Sequence, residues 1–381
     1  MQYRTFPKVP ELAISALSLG AMRLPVLDGD EGRIDPDALD GILKAAHEAG
    51  INYLDTAYIY HDGKSEEAVG RSLDRTGLRG EFLVATKSPT WLVKSETDWE
   101  KFLSAQLERL GTERIDFYLL HALTTSRWEK TLRLKGLEFL RKAKADGRIG
   151  HIGFSFHDSL EVFKRIVDGW EDWEFCQVQY NYLDTEFQAG REGIRYAGSK
   201  ELGVIVMEPL RGGGLADLPR EARDVFSRWP VPRMPAEWAL RFALDPQEVA
   251  TVLSGMGSEF QVWENAAVAD AARANSITSK ETALYDQVRA YFKEKMPVPC
   301  TTCGYCLPCP NKIPIPEIFA VYNTWAAFPE RREDRRRWYE SAYRKSGIGG
   351  DSCIACGECV PKCPQGIAIP NRLAEAHGNL S

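Results

Sequence analysis

Four side chains in the first third of the chain could together donate a proton while a carbonyl is reduced: Asp55, Tyr60, Lys87 and His121. A hydride delivered to a carbonyl carbon leaves negative charge on oxygen, so a proton donor must stand close by. Tyr60 is the candidate acid. A free tyrosine titrates near 10, and a neighbouring ammonium favours its phenolate. Lys87 would supply that charge, Asp55 would pair with Lys87 and keep it protonated, and His121 would hydrogen-bond the substrate oxygen. Taken singly, each has a plain structural explanation: a turn cap, a packed ring, an ion-pair partner, a satisfied core histidine. Falling at the ends of three successive apolar runs, or in the loop after one, they point together to function.

The cysteines suggest a second chemistry. Eight of the nine lie in two tight runs, CTTCGYCLPCP at Cys300–Pro310 and CIACGECVPKCP at Cys353–Pro364, which argues for metal over disulfides. The spacing C-x2-C-x2-C-x3-C-P lets three thiolates of one loop hold three irons of a cubane, while the fourth serves the other cluster. Cys353, Cys356 and Cys359 would hold one 4Fe-4S cluster and Cys300, Cys303 and Cys306 a second, with Cys309 and Cys363 exchanged between them. The first run is one residue short before Cys309. A zinc ribbon is the alternative, but four cysteines in one run ending in Cys-Pro fit zinc poorly. Cys176 stands apart in a strand, as a small buried hydrophobe does.

These residues need elements to carry them. Eight short apolar runs read as strands: Ile14–Leu19, Ile51–Asp55, Phe82–Lys87, Ile115–His121, His151–Ser155, Phe175–Gln179, Val204–Met207 and Val249–Ser254. They alternate with amphipathic segments, the pattern of βα units. Asp35-Pro36 caps and starts the first helix, Gly50 ends it, and Gly111, Gly147 and Gly203 close later ones. The fold class is therefore α/β, a (β/α)8 TIM-type barrel over residues 1–295, with a doubly wound sheet as the alternative. Chemistry in such a barrel sits at the carboxyl ends of the strands.

After the helix Ser279–Lys295, the stretch Met296-Pro297-Val298-Pro299 reads as a linker into a small, mainly helical ferredoxin-like module over residues 296–381. Helices are expected there at Glu317–Phe328 and Asp334–Lys345, the latter with Arg335, Arg336 and Arg337 on a solvated face or a docking site. The 381 residues carry a formal charge of −6, which excludes a general affinity for nucleic acid or anionic membranes. Neither a signal peptide nor an apolar run of membrane-spanning length is present, so the cytoplasm is the default location.

The motifs DTAYIY at Asp55–Tyr60, ATK at Ala85–Lys87 and LLH at Leu119–His121 resemble the Asp, Tyr, Lys, His tetrad of the aldo-keto reductase superfamily. The resemblance covers roughly the first 270 residues, and one branch of that superfamily is similar in carrying a C-terminal α-helical ferredoxin-like domain. It implies a nicotinamide cofactor, NADP or NAD, lying across the barrel top without a Gly-x-Gly-x-x-Gly loop, and reduction of an aldehyde, ketone or sugar-like carbonyl. It further implies cofactor contacts from Gly20 and Met22 after the first strand, from Ser155 and Gln179 on the nicotinamide carboxamide, and from Met207. Pro209, Leu210, Gly212, Gly213 and Gly214 resemble the pyrophosphate loop, and Gly255, Gln261, Glu264 and Asn265 the adenine end. The chain departs from the family at Phe156, in place of an asparagine, and at Met207, in place of an aromatic. Gly255 and Gln261 also stand where many members carry the basic residues that hold a 2′-phosphate.

Nicotinamide passes two electrons and an iron–sulfur cluster one, and no flavin site is evident to convert between them. The clusters would brace the fold, exchange electrons with a redox partner protein, or sense redox state. A non-enzymatic redox-sensing or interaction subunit is the competing class, although such a protein would have little use for both Tyr60 and Lys87.

Overall fold

The computed structural model describes Met1–Ser381. Ten strands form, two more than the apolar runs predict. β1 (Tyr3–Phe6) and β2 (Val9–Ser15) pair antiparallel as a hairpin. β3 (Leu17–Gly20), β4 (Tyr53–Asp55), β5 (Leu83–Ser88), β6 (Ile115–Leu123), β7 (Ile149–Phe156), β8 (Phe175–Gln179), β9 (Gly203–Met207) and β10 (Val249–Ser254) follow. They close into a parallel eight-stranded barrel in chain order, with β10 paired to β3.

The expected first strand, Ile14–Leu19, needs correction, because it spans the end of β2 and the start of β3. Ser15 divides it. Its N–H donates to the Asn52 side chain at 2.8 Å and its hydroxyl to the Leu17 carbonyl at 2.7 Å, so the chain leaves the hairpin there and enters the barrel at Leu17.

The hairpin carries Phe6, Val9 and Ile14 into a fully buried cluster with Tyr53, Phe117, Phe175 and Ile205. The Phe6 ring stacks on Phe175 with centroids 5.6 Å apart and meets Phe117 edge-on at 5.8 Å. Tyr53 and Phe175 begin their strands, so this plug fills the amino-terminal end of the barrel and leaves the carboxyl-terminal end for chemistry. Burying one such ring is worth about 1.5–3 kcal/mol.

Gly203 does not close a helix, contrary to the sequence expectation. It opens β9, and a Cβ at this position would lie 2.1 Å from the Phe6 ring; the glycine is there so that the plug can seat. The preceding helix, Gly190–Ser199, ends instead at Lys200 and at Glu201, which takes a φ of 59°. The other helix signals appear as read. Asp35 caps Pro36–Glu48 by accepting from the Asp37 and Ala38 N–H groups, and Gly50, Gly111 and Gly147 adopt positive φ behind their helices.

The chain divides into two compact units, Met1–Pro209 with Glu237–Ile277, and Leu210–Ala236 with Thr278–Ser381. The boundary expected between residues 295 and 296 thus falls inside the second unit. The helix Ser279–Lys295 packs there: Tyr285 meets Phe226 edge-on at 5.6 Å, Arg233 pairs with Glu281 at 2.6 Å, and the Tyr291 hydroxyl donates to the Ala327 carbonyl. Helices Ile315–Ala327, Arg332–Tyr339 and Ile369–Leu380 complete this unit around Ile318, Phe319, Tyr339, Ile369 and Leu373. The segment expected as one helix over Asp334–Lys345 passes at Glu340–Arg344 into a π-helical turn. Its arginine run is not simply solvated: Arg336 lies 5.5 Å over the Trp325 ring and donates to the Asn379 carbonyl. No helix is long and apolar enough to cross a membrane.

Candidate active site and cluster cavities

Strand register brings the four reactive side chains to one end of the barrel. Asp55 ends β4 opposite Ala85 of β5, and Lys87 of β5 pairs with Leu119 of β6, two residues before His121. The Lys87 ammonium, with no solvent exposure, donates to Asp55 Oδ1 at 2.6 Å and to the Thr56 carbonyl at 2.8 Å. Its third neighbour is the Tyr60 hydroxyl at 3.4 Å. The His121 ring lies edge-on to Tyr60, with centroids 6.1 Å apart. All four are buried, and Asp55 Oδ2 has no hydrogen-bond partner.

Tyr60 owes its position to an unusual turn. His61 and Asp62 both take left-handed backbone angles, with φ of 52°, which L residues adopt at a cost. The buried His61 side chain holds that turn by accepting the Leu24 N–H at Nε2 (3.0 Å) and contacting the Glu31 carbonyl through Nδ1 (3.1 Å). The turn is thereby tied to the loop after β3.

Burial governs the charges. Desolvation pulls the Lys87 pKa down and pushes Asp55 up, each opposed by the attraction of the other. At 2.6 Å the two remain an ion pair. His121 is held well below the ordinary histidine value, first by desolvation and then by Lys87, His157 and Arg127. It is therefore neutral at physiological pH and can donate one ring N–H to a carbonyl oxygen.

The residues expected to hold the cofactor are placed as follows. Gly20 ends β3 and Met22 is half-buried beyond it. The Ser155 hydroxyl is buried on β7, where it accepts the Ala122 N–H at 2.7 Å. Gln179 is already engaged, donating to Asp184 at 2.9 Å. Gln177, two residues earlier on β8 and so on the same side, was missed in the sequence. Its buried Oε1 has no hydrogen-bond partner, while its Nε2 lies 3.7 Å from the Met207 sulfur. A buried orphan acceptor at this depth fits the NH2 of a carboxamide. The alternation Phe175, Gln177, Gln179 along the strand was the signal that could have found it.

Met207 and Pro209 follow on β9 and beyond it. Gly255 is exposed beside Arg23, whose guanidinium pairs with Glu208 at 3.6 Å. Gln261 turns back to accept the Gly257 N–H, Glu264 is exposed, and the buried Asn265 donates to Ser254. Leu210, Gly212 and Gly213 open the second unit as a turn in which the Gly213 N–H donates to the Leu210 carbonyl and the Gly214 N–H to the Arg211 carbonyl. Gly212 and Gly213 both have positive φ, and a Cβ on Gly212 would lie 2.3 Å from the Thr301 carbonyl oxygen.

The eight clustered cysteines surround two cavities. Cys309, Cys353, Cys356 and Cys359 line one, and Cys300, Cys303 and Cys363 line the other, with Cys306 bordering both. The Cys306 thiol is pushed up by burial and by Cys303, Cys300 and Cys363, and the Cys359 thiol by burial and by Cys353, Cys356 and Cys309. Those neighbours are the sets expected from the exchange of Cys309 and Cys363. The two loops also share a backbone pattern, with left-handed angles at Thr302 and Gly304 in one and at the equivalent Ala355 and Gly357 in the other. No three ligating side chains converge as a single ion requires; zinc with S ligands at about 2.3 Å would need sulfurs roughly 3.8 Å apart. Cavities ringed by four thiols fit cubane clusters instead.

Comparison with known proteins agrees with this geometry. The model of the aldo/keto reductase family matches residues 16–288, and that of the 4Fe-4S dicluster domain matches residues 299–368. The aldo-keto reductase yakc [NADP(+)] of Schizosaccharomyces pombe is 27% identical over 218 residues, 55% of this chain and 62% of that protein, so the chain spans less than two thirds of it. The NADH-specific methylglyoxal reductase of Escherichia coli is 25% identical over 312 residues, covering 68% of this chain and 90% of that protein. Among solved structures, an aldo-keto reductase from Bacillus halodurans in its holo form superposes with a TM-score of 0.63 at 26% identity, covering 76% of this chain and 96% of that one.

Proposed function

Since the chain belongs to the aldo/keto reductase family and carries a 4Fe-4S dicluster domain, we propose that it is a nicotinamide-dependent oxidoreductase that reduces an aldehyde, ketone or sugar-like carbonyl. The observation that carries this reading is the Lys87 ammonium standing between Asp55 at 2.6 Å and the Tyr60 hydroxyl at 3.4 Å.

When bound, the cofactor supplies the hydride. The chain does the rest. Neutral His121 orients the carbonyl oxygen by donating a hydrogen bond. Tyr60 gives its hydroxyl proton to that oxygen as charge develops there. The phenolate left behind is stabilised by Lys87, whose own charge is fixed by Asp55. Gln177, whose Oε1 has no partner within the chain, would accept from the nicotinamide carboxamide, and Ser155 lies on the neighbouring strand. Between Gly255 and Asn265 there is no Lys or Arg, and Glu259 and Glu264 add negative charge. With Arg23 already paired to Glu208, this favours NADH over NADPH, since phosphate recognition rests on cationic donors.

Cys309, Cys353, Cys356 and Cys359 would hold one cubane, and Cys300, Cys303, Cys306 and Cys363 the other. Cys356 is exposed beside the exposed Ile354, so the first cluster is the one that an outside one-electron partner protein can reach. Thiolate-ligated clusters suit a reducing compartment such as the cytoplasm.

The test is anaerobic titration with NADH and NADPH, followed by turnover of a small aldehyde. Tyr60→Phe should lower kcat/KM by about 10²–10⁴ and leave cofactor affinity intact. Undiminished turnover in that variant would remove Tyr60 as the acid, and failure of both cofactors to bind would remove the reductase reading itself.

A further inference from the structure

The barrel mouth contains a cationic group that carbonyl reduction does not require. Arg127, in the first turn of the helix Thr125–Arg133, lies with its guanidinium 5.0 Å over the Trp91 ring, and that ring is 5.0 Å from His121. The guanidinium is therefore no more than about 10 Å from the His121 imidazole, the sum of those two separations. We propose that the substrate carries an anionic group, a carboxylate a few carbons from the carbonyl, and that Arg127 binds it while His121 and Tyr60 hold the carbonyl oxygen. This rests on the reductase reading.

Arg127 is built into place. Its Nη1 donates to the Ala122 carbonyl at 2.7 Å, and Ala122 takes a left-handed φ of 53° directly after His121. The Trp91 loop beneath it is fixed by Lys130, whose ammonium donates to the carbonyls of Trp91 and Val93 at 3.2 Å each.

The electrostatics agree with the geometry. Arg127 depresses the pKa values of His121, His157 and Lys130, in each case after the larger effect of burial. Lys87 adds its own depression of His121. Cationic groups on two sides of His121 raise the local concentration of anions, and a planar guanidinium matches a carboxylate in bidentate fashion. Two hydrogen bonds of about 2.9 Å each leave at most about 4 Å of that upper limit, so the carbon skeleton between the two groups is short, of no more than roughly four atoms.

The experiment compares 4-oxobutanoate with butanal in the wild-type holoprotein, in Arg127→Leu and in Arg127→Lys. The wild type should favour the carboxylate by about tenfold or more in kcat/KM. Arg127→Leu should abolish that ratio, mainly through KM, and Arg127→Lys should restore part of it. Calorimetric titration of the cofactor complex with succinate against succinamide gives a readout free of turnover, in which Arg127→Leu should weaken succinate about tenfold. A wild-type ratio near one, or a ratio and a succinate affinity unchanged by Arg127→Leu, overturns the proposal. If neither aldehyde is reduced, succinate binding still decides for or against the anion site, while cofactor titration decides on the reductase reading. Cofactor titration of each variant shows that it is folded.

Discussion

Lys87 is a fully buried cation surrounded by Asp55, the Thr56 carbonyl and Tyr60. Its proposed catalytic role and its contribution to stability are inseparable. Lys87→Met should remove activity and also leave the Asp55 carboxylate buried without its counter-charge, at a cost of about 3–5 kcal/mol. Urea denaturation measures this, and a loss below about 1 kcal/mol would mean that the pair is not desolvated in solution. The histidines set an acid limit. His157 is pushed down to about 4 and His121 well below its ordinary value, whereas both protonate near 6.5 in the unfolded chain. Between about pH 6.5 and 4 the unfolded state binds more protons than the native one, so stability falls as pH drops through that window and is unaffected by these groups above it. Urea midpoints at about pH 7.5 and 5 check the sign; equal midpoints would mean that the histidines charge within the fold. The tetrad was legible in the sequence because each member follows an apolar run at a strand end. Gln177 was not. Gln179, two residues along the same strand face, has the same side chain, and what distinguishes the two is tertiary: Gln179 is held by Asp184, whereas Gln177 lies against Met207 with its Oε1 unpartnered.

The strands themselves could be read because burial on both faces makes their sequences continuously apolar, and β8 and β10 match their expected limits residue for residue. The apolar run Ile14–Leu19 failed for the same reason: it continues through a change of partner that only the Ser15 side chain marks. The hairpin strand Tyr3–Phe6 is four residues long and mostly polar, too short for a period to show. Gly203 illustrates how one residue type can serve two purposes, since a glycine after a helix reads as its cap while this one makes room for Phe6. Gly203→Val should cost about 1–3 kcal/mol by overpacking, with no change in the cofactor dissociation constant of the folded fraction. Pairing it with Phe6→Leu should recover part of that loss. If the double variant is as unstable as the sum of the two single ones, the ring and the glycine are not coupled.

At the scale of the whole chain, the stretch Met296–Pro299 has the composition of a linker but not its environment. Val298 is fully buried, its N–H donates to the Asn323 side chain at 3.1 Å, and its carbonyl accepts from the same side chain at 2.7 Å. Proline content reads as a linker; the hydrogen bonds that bury it come from a helix 25 residues away, which local composition cannot reveal. The second unit therefore extends back to Thr278 and takes in Leu210–Ala236. Its small apolar core has Cys300, Cys309, Cys353, Cys359 and Cys363 packed against it, the arrangement expected if the clusters brace the fold and their binding is linked to folding. Stripping iron with a chelator under anaerobic conditions should raise hydrogen exchange by at least about tenfold well beyond the cysteine loops. The rise should reach Ile315–Ala327 and Ile369–Leu380, whose side chains form that core, and the turn at Gly212, which abuts the Thr301 carbonyl. If exchange rises only within residues 300–309 and 353–363, the clusters do not brace this unit, and electron exchange through the exposed Cys356 or redox sensing becomes the role that remains for them.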